Sequence, residues 1–232
     1  MDNTFKTLFG IDPATVQKAC IIMPFDIPKA AEQLGVKTIS KGRVFSTGQG
    51  KGLTLIISGM SAGFVGDCVL WLKDTPCEQI FFLGTCGLIH TTKDDLDIGT
   101  LLTPGTIHAF ESFSDIITGN VKDPEPVEAD TSLIKAMKLK IPTCSCVSFA
   151  SLHEEERYMP LFEQLGADVI EMECSAFFLA SRKIQRPASA LLVVSDILGK
   201  ILFSSKLSPD DKKSLTDGIS QACVSIKKFC AR

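Results

Sequence analysis

Short apolar runs and amphipathic segments alternate along the chain. The apolar runs are nearly continuous, which is typical of strands buried on both faces of a sheet. They predict strands at 19–23, 53–58, 79–84, 99–107, 146–150, 167–172 and 188–195. Helical periodicity fills the intervals and predicts helices at 27–34, 62–73, 130–139, 154–165, 173–185 and 208–229. The pattern indicates an α/β protein whose helices cover both faces of one sheet.

No linker, charge block or internal repeat divides the 232 residues. A single domain, 1–232, with a sizeable core is therefore expected. The polar segment 120–130 contains two prolines and is predicted to be a loop. The last helix is expected to begin at Ser208, because Pro209 and two aspartates follow it.

Composition and charge narrow the functional classes. The formal net charge is −3 and no Lys/Arg stripe is present, so nucleic acid is not an expected partner. No apolar run approaches the roughly 20 residues that cross a bilayer, and the N-terminus lacks a signal-peptide pattern. The nine cysteines show no disulfide framework and are interpreted as reduced thiols of a cytoplasmic protein. Cys144 and Cys146 form a CxC pair without a second ligand pair, so no metal site is expected.

Polar side chains follow the ends of several predicted strands, where ligands bind in open α/β sheets. Glu171 and Glu173 are two residues apart at a strand end, so both can face one ligand, such as the vicinal hydroxyls of a sugar. They can equally cap the helix that follows them. Asp196 comes directly after LLVVS. It is either a helix cap or an acid placed to protonate a leaving group.

Glycines near two of these strand ends allow backbone N–H groups to approach an anion, or simply form tight turns. Gly84 and Gly87 are the first and last residues of GTCG, and Gly59 and Gly63 belong to SGMSAG. Neither segment is a Walker loop, because no GKS or GKT follows. GMSAGFVG also lacks GxGxxG spacing, so nothing supports a nicotinamide or flavin cofactor.

Taken together, these motifs resemble the purine nucleoside phosphorylase/nucleosidase superfamily. The resemblance lies in LGTCG, EMECSA and VVSD, in IIMPFDIPKAAEQLG, which is similar to the family's MPGDPxR phosphate turn, and in LDIGTLLTPGTI. It extends from about residue 20 to residue 225. It implies a three-layer αβα domain around a mixed, partly barrel-like central sheet. It also implies cleavage of the N-glycosidic bond between a ribose and a base, in a homo-oligomer of undetermined size.

The resemblance assigns roles to individual residues. Glu173 matches the acceptor for the ribose 2′- and 3′-hydroxyls, Met172 would lie against the sugar, and Glu171 would shape the pocket. Asp196 matches the group that gives a proton or hydrogen bond to purine N7. Proton donation to a departing base typically contributes about 10²–10⁴-fold, and burial would keep the acid protonated. Its presence favours purines, because uridine-specific relatives lack it.

An aromatic ring is expected beside the base. His153 lies close to the position where relatives place this ring, and Phe149 is the competing candidate, since base stacking suits either ring. The alternative for His153 is a residue at the N-terminus of a helix. His90 and His108 have no such placement and are expected to be structural.

The phosphate site departs from the family pattern. Phosphorylases surround phosphate with arginines, whose planar forks bind it bidentately. The first such position is Lys29, with Phe25 in place of a glycine, and the third is Phe82. Gly84 and Thr85 keep the backbone and hydroxyl donors.

The second arginine, which a neighbouring subunit supplies in hexameric relatives, aligns with Lys41 or Arg43. Hydrolytic relatives instead activate water with a glutamate near the N-terminal turn, where this chain has Lys29 and Asp26. The surviving parts favour phosphorolysis to free base and ribose 1-phosphate, with phosphate as co-substrate and no metal or organic cofactor.

Three alternatives remain from the sequence. The first is a hydrolytic nucleosidase of the methylthioadenosine/adenosylhomocysteine type, and the second is a degenerate protein that binds a nucleoside without cleaving it. The third is a thiol hydrolase that uses Cys86 or Cys174 with His153. It is the weakest, because a nucleophilic thiol needs a base within hydrogen-bond reach and neither cysteine has a histidine near it in sequence.

Overall fold

The computed structural model describes residues 2–89, 96–122 and 125–231. Its strands are β1 (Ala19–Met23), β2 (Ile39–Lys41), β3 (Ser46–Gly50), β4 (Leu53–Ile57), β5 (Gln79–Leu88), β6 (Leu101–Phe110), β7 (Val127–Glu128), β8 (Thr143–Phe149), β9 (Val169–Glu171) and β10 (Ala188–Ile197). Its α-helices are α1 (Asp2–Phe9), α2 (Ala30–Leu34), α3 (Ala62–Trp71), α4 (Phe113–Thr118), α5 (Ser132–Met137), α6 (Glu155–Gln164), α7 (Cys174–Lys183) and α8 (Pro209–Cys230).

Five strands of the sheet close on themselves. β5 pairs with β10, β10 with β6, β6 with β8, β8 with β9, and β9 again with β5. The pairings are mixed, being parallel for β5–β10, β6–β8 and β8–β9 and antiparallel for the other two. Strands β1, β4, β3 and β2 extend from β5 as an open sheet, and the short β7 pairs with β6. Closure removes edges from the part of the sheet that carries the polar strand ends.

Helices cover the sheet on both faces. On one face, α2, α5 and α8 contribute Leu34, Ile134 and Ile226 to a core cluster with alternate residues of β1 and β4. On the other, α1, α3 and α7 pack onto the intervening residues of β1, β5 and β10. A smaller cluster joins α4 and α6 to β8. Successive side chains of β5 point to opposite faces of the sheet, and nearly all of them are buried because both faces are covered. This explains why the sequence of β5 is almost continuously apolar.

The fold class predicted from the sequence is confirmed. Each predicted strand overlaps an observed strand, and each predicted helix overlaps an observed helix. The predicted helix 27–34 is shorter than expected, since α2 begins only after Lys29, whose backbone is left-handed with φ 64°. Five elements were not predicted: α1, β2, β3, α4 and β7. The last of these lies inside 120–130, so the predicted loop there is interrupted by a two-residue strand.

Within the described residues, none of the helices is both long enough and apolar enough to cross a membrane. The nine cysteines are all free thiols, and eight of them are buried.

Candidate active site

A β-bulge near the end of β10 places Asp196 at the cleft. Along the parallel pair, Val194 lies opposite Cys86 and Asp196 opposite Gly87, so Ser195 is an extra residue in β10. A bulge of this kind re-aims the next side chain. The Asp196 side chain is 6% exposed, and a Cβ on Gly87 would lie 2.7 Å from its Oδ2. Gly87, the last residue of GTCG, must therefore be a glycine, because the carboxyl group of Asp196 lies too close to leave room for a side chain.

The surroundings of Asp196 suit a proton donor. Burial raises its pKa, and a hydrogen bond from Ser195 opposes that rise. Ser195 Oγ lies 2.6 Å from Asp196 Oδ1 and 3.3 Å from the carbonyl oxygen of Cys86. With its single proton, the hydroxyl can donate to an ionised Asp196, or donate to Cys86 while accepting from a protonated Asp196. Both protonation states of the acid therefore have a hydrogen-bond partner.

Glu171 fixes the N-terminus of α7. Its Oε2 accepts hydrogen bonds from the backbone N–H of Glu173 at 2.6 Å and of Cys174 at 2.7 Å. Its Oε1 accepts from the hydroxyl of Ser148, which in turn accepts from the backbone N–H of Ser175 at 3.1 Å. Burial raises the pKa of Glu171, and these donors oppose the rise. A carboxylate at a helix N-terminus satisfies exposed donors and complements the helix dipole.

Glu173 faces the cleft and is held from α3. Its Oε1 accepts a hydrogen bond of 2.8 Å from the backbone N–H of Ser61, the residue that caps α3. Ser61 has φ 130°, a conformation that costs a non-glycine residue about 1–3 kcal/mol. Burial and the charge of Glu171 raise the pKa of Glu173 to about 8. The two glutamates of EME thus differ, since Glu171 caps the start of α7 and Glu173 extends toward α3 along the cleft.

Glu155 is a cleft residue that the sequence analysis missed. It is the first residue of α6, and burial together with the charge of Asp196 raises its pKa to about 8. The sequence offers the run HEEER, with three consecutive glutamates at a helix start. Acidic residues are common there, so the run carried no sign of which glutamate faces a ligand.

The cleft is lined by acidic, apolar and hydroxyl-bearing side chains. Its described lining is Pro24, Phe25, Met60, Thr85, Cys86, Gly87, Leu152, Glu155, Ile170, Glu171, Met172, Glu173, Ser195, Asp196 and Phe203. Among these residues none is a lysine or an arginine. Lys29 is exposed at the start of α2, and Lys41 and Arg43 are exposed in and after β2. Lys29 is thus absent from the lining, and Lys41 and Arg43, one of which was expected at the site of a neighbouring subunit, do not line the cleft of their own chain.

The other predicted site residues divide into two groups. Met172 and Thr85 line the cleft as expected. Gly84 is buried one residue before Thr85, where an added Cβ would lie 2.7 Å from the ring of Phe82. Phe82 itself is buried, with its ring centroid 5.5 Å from that of Phe177.

Neither ring proposed to stack on the base lines the cleft. Phe149 is fully buried and packs edge-on against Phe162, so reaching a ligand would require it to leave the core. The side chain of His153 is 92% exposed and is bound to Glu154 at 2.8 Å. It lies on the border of a second pocket that adjoins the cleft. His108 lies within β6, and His90 falls outside the described residues.

The two thiols considered as nucleophiles lie in surroundings that disfavour the thiolate form. Cys86 lines the cleft and Cys174 lies behind it, but burial raises the pKa of both well above the ordinary value. The thiolate is the nucleophilic form, so these thiols are poor nucleophiles at neutral pH.

Two pockets meet at this site. The cleft holds about 50 Å³ of free space, and the adjoining pocket about 250 Å³. Leu152, Glu155, Asp196 and Phe203 border both of them, whereas Glu173 borders the first alone. Small-molecule sites typically hold about 300 Å³ or more, so a ligand of ordinary size would have to occupy both spaces.

Solved structures share the fold of this chain. Uridine phosphorylase from Vibrio fischeri superposes with a TM-score of 0.71 at 17% identity, covering 96% of this chain and 95% of its own. The 5′-methylthioadenosine/S-adenosylhomocysteine nucleosidase of Campylobacter jejuni gives 0.69 at 17% identity, covering 93% and 99%. AMP nucleosidase from Bacteroides thetaiotaomicron gives 0.69 at 17% identity, covering 98% and 96%. At such identity the likeness concerns the fold.

Sequence comparison assigns the family. No curated protein sequence matches the chain. The family model of the phosphorylase superfamily matches residues 20–229, which is most of the 232 residues and confirms the resemblance noted in the motifs. The chain therefore belongs to the phosphorylase superfamily.

Proposed function

We propose that the protein hydrolyses the N-glycosidic bond of a purine nucleoside. The observation that carries this proposal is the cleft itself, in which a buried Asp196 and a cleft-facing Glu173 share one space without any lysine or arginine in the described lining. Superfamily membership supports nucleoside cleavage, and the chemistry of the lining residues supports the finer assignment.

The sugar is proposed to lie beside Glu173 and Met172. The carboxyl group of Glu173 accepts from Ser61 through Oε1 and borders the cleft, so its oxygens are available to two neighbouring hydroxyls of a ribose. Met172 borders the same space and offers an apolar, polarisable side chain to the face of the sugar. Glu171 supports both residues indirectly by holding the start of α7.

The base is proposed to lie toward the adjoining pocket, since Asp196 borders both spaces and Glu173 borders the first alone. As the bond from the sugar to the base breaks, negative charge develops on the base. A protonated Asp196 can then donate its proton to N7 of a purine, and Ser195 can turn its hydroxyl toward the carboxylate that remains. A pyrimidine has no N7, which is why the proposal names purines.

Hydrolysis replaces phosphorolysis as the favoured reaction for an electrostatic reason. A phosphate dianion in this cleft would face Glu155, Glu173 and Asp196, without a lysine or arginine among the described residues that line it. Phosphate sites in proteins supply cationic forks or helix termini, and a partly buried dianion without such groups is costly because its charge is desolvated and unbalanced. Water carries no such cost. The hydroxyl of Thr85 lines the cleft and is the group proposed to hold the attacking water. The water oxygen bonds to C1′ as the bond from C1′ to the base breaks, and the proton that the water releases restores the acid form of Asp196.

Phosphorolysis remains the second candidate, because Thr85 is also the hydroxyl donor that a phosphate would use. One assay separates the two reactions. Release of free base is measured from adenosine, inosine, guanosine, 5′-methylthioadenosine, S-adenosylhomocysteine and uridine, each with and without phosphate. We expect phosphate-independent release from purine nucleosides with free ribose as product. Release that requires phosphate and yields ribose 1-phosphate would establish the phosphorylase instead.

Substitution of Asp196 tests the mechanism. We expect Asp196→Asn to lower kcat about 10²–10⁴-fold with a smaller effect on binding, since the amide cannot supply the proton. Asp217→Asn, at an exposed position of α8, is the matched control and should behave as the wild type. An unchanged kcat in Asp196→Asn would remove this residue from the mechanism. No release from any nucleoside, together with thermal stabilisation by one of them, would favour a non-catalytic binding protein.

The remaining partners and location are proposals as well. We propose a reaction without a metal ion or an organic cofactor. No group of His, Cys, Asp and Glu side chains in the described part of the chain is arranged to hold a metal ion. The free, mostly buried thiols fit a reducing cytoplasm.

A further inference from the structure

A second carboxyl group lies beside Asp196, and the reaction as proposed gives it no task. Glu155 borders both the cleft and the adjoining pocket, as Asp196 does. The two residues come from different elements, α6 and β10, so the fold and not the local sequence brings them together.

The charged groups around this pair are predominantly acidic. The titratable residues that line the two pockets, within the described chain, are Cys86, His153, Glu155, Glu156, Glu171, Glu173 and Asp196. The nearby basic side chains are bound to Glu154, which accepts from His153 at 2.8 Å and from Arg157 at 3.1 Å. The ion pairs recorded for the described residues therefore leave Glu155 without a cation.

Two carboxyl groups in such a space resist being ionised together. Each charge disfavours the other, and burial disfavours both, so the pair retains a proton to higher pH than an exposed carboxyl group would. The start of α6 favours an ionised Glu155, but a helix terminus acts only weakly on a nearby charge. Burial and the charge of Asp196 act in the opposite direction and raise the pKa of Glu155 to about 8.

We propose that Glu155 and Asp196 form a carboxyl pair that shares one proton at neutral pH, and that Glu155 thereby keeps the leaving-group acid protonated. This inference rests on the function proposed above. When a purine nitrogen accepts from Asp196, the shared proton resides there, since that arrangement adds a hydrogen bond to the substrate. Glu155 acts through Asp196 and is a positioning residue.

The pH dependence of kcat/KM tests the pair. In Glu155→Gln the repelling charge is gone, so Asp196 loses its proton at lower pH. We expect the alkaline limb of the profile to move about one pH unit downward. Activity at pH 5.5 should stay within about 3-fold of the wild type, and activity at pH 8 should fall about 10-fold. Glu155→Asp should move the limb back toward the wild-type position.

Glu163→Gln is the matched control, because Glu163 is an exposed residue of α6 that lines neither pocket. Its profile should coincide with that of the wild type. An alkaline limb that stays in place in Glu155→Gln, or that moves equally in Glu163→Gln, would overturn the pair.

A second measurement does not depend on turnover. Carbon-13 NMR titration of the side-chain carboxyl groups, with Asp196 assigned through Asp196→Asn, should show the Asp196 midpoint lowered by about one unit in Glu155→Gln. If no nucleoside is cleaved and the midpoint still moves, the proposed function fails and the pair stands. If purine nucleosides are cleaved and the midpoint is unchanged, the function stands and the pair is refuted.

Discussion

At the scale of single residues, Asp196 has room for its carboxyl group because its neighbour Gly87 has no side chain. An added Cβ on Gly87 would lie 2.7 Å from Asp196 Oδ2, 2.9 Å from a methyl carbon of Leu198 and 3.1 Å from one of Ile170. Carbon atoms in proteins do not pack so closely, so the carboxyl group would have to turn away. The bulge at Ser195 would then no longer present the acid to the cleft.

We therefore expect Gly87→Ala to lower kcat about 10–100-fold, because a general acid displaced by about an ångström donates poorly. Steady-state kinetics on the best nucleoside measures this. Gly63→Ala is the control, since an added Cβ there meets nothing within 4 Å. A Gly87→Ala enzyme with wild-type kcat would show that the position of Asp196 is not critical.

The sequence predicted the positions of some cleft residues and not of others. Glu173 and Asp196 follow strand ends, and the structure places both at one cleft. The sequence offered two interpretations of the glutamates in EME, as acceptors for a ligand and as helix caps. In the structure Glu171 is the cap, and Glu173 is the residue left to accept from a ligand. Glu155 could not be found, because its neighbours in sequence have the same charge. Phe149 looked suitable because an aromatic ring was expected, yet its strand position points it into the core.

At the scale of elements, α7 begins where it does because Glu171 closes its first turn. The carboxylate accepts from two backbone N–H groups of α7 and from Ser148 of β8, so it joins a helix to two neighbouring strands. Removing a buried acceptor leaves these donors unsatisfied, at a cost of about 1–3 kcal/mol.

We expect Glu171→Gln to lower the free energy of unfolding by about 1–3 kcal/mol, because a neutral amide accepts more weakly and turns an N–H₂ group toward donors. Urea denaturation measures the change. kcat/KM should fall as well, since Glu173 is positioned by the start of α7. Glu163→Gln, exposed on α6, should alter neither quantity. A fully stable Glu171→Gln would show that water or a rearranged side chain satisfies these donors.

Elements with a strong periodic pattern were predicted, and those without one were not. β3 reads STGQG and carries two glycines, so nothing in its composition indicates a strand. It forms because β4 supplies an antiparallel partner for all five of its residues. The bulge in β10 is equally hidden, because it depends on the register against β5 rather than on the sequence of β10 alone.

At the scale of the whole molecule, the alternation of strands and helices predicted the layers but not the closure. Closure needs β9 to pair antiparallel with β5 while remaining parallel to β8, and it needs β10 to pair with both β5 and β6. These contacts join residues far apart in sequence, whereas hydrophobic periodicity reports only on neighbours. The barrel was predicted only from the resemblance to a known family, whereas the strands and helices that build it were predicted from local sequence patterns.

The molecule also presents an unpartnered apolar surface next to its cleft. Phe64 of α3 is 49% exposed, Leu179 of α7 is 48% exposed, and Met60, which lines the cleft, is 47% exposed. The helices α3 and α7 pack against each other on one face of the sheet. Large apolar side chains clustered at such a face are typical of an interface.

A second copy of the chain is the occupant that we propose, as the family resemblance implies an oligomer. Light scattering after size exclusion should give a multiple of 25.1 kDa for the wild type. The double variant Phe64→Glu, Leu179→Glu should shift toward the monomer, because a charge buried at an interface without a partner is costly. Val224→Glu is the control, since Val224 is 55% exposed on α8, a helix that covers the opposite face. A wild-type mass of 25.1 kDa at micromolar concentration would instead mean that each cleft works with the residues of its own chain alone.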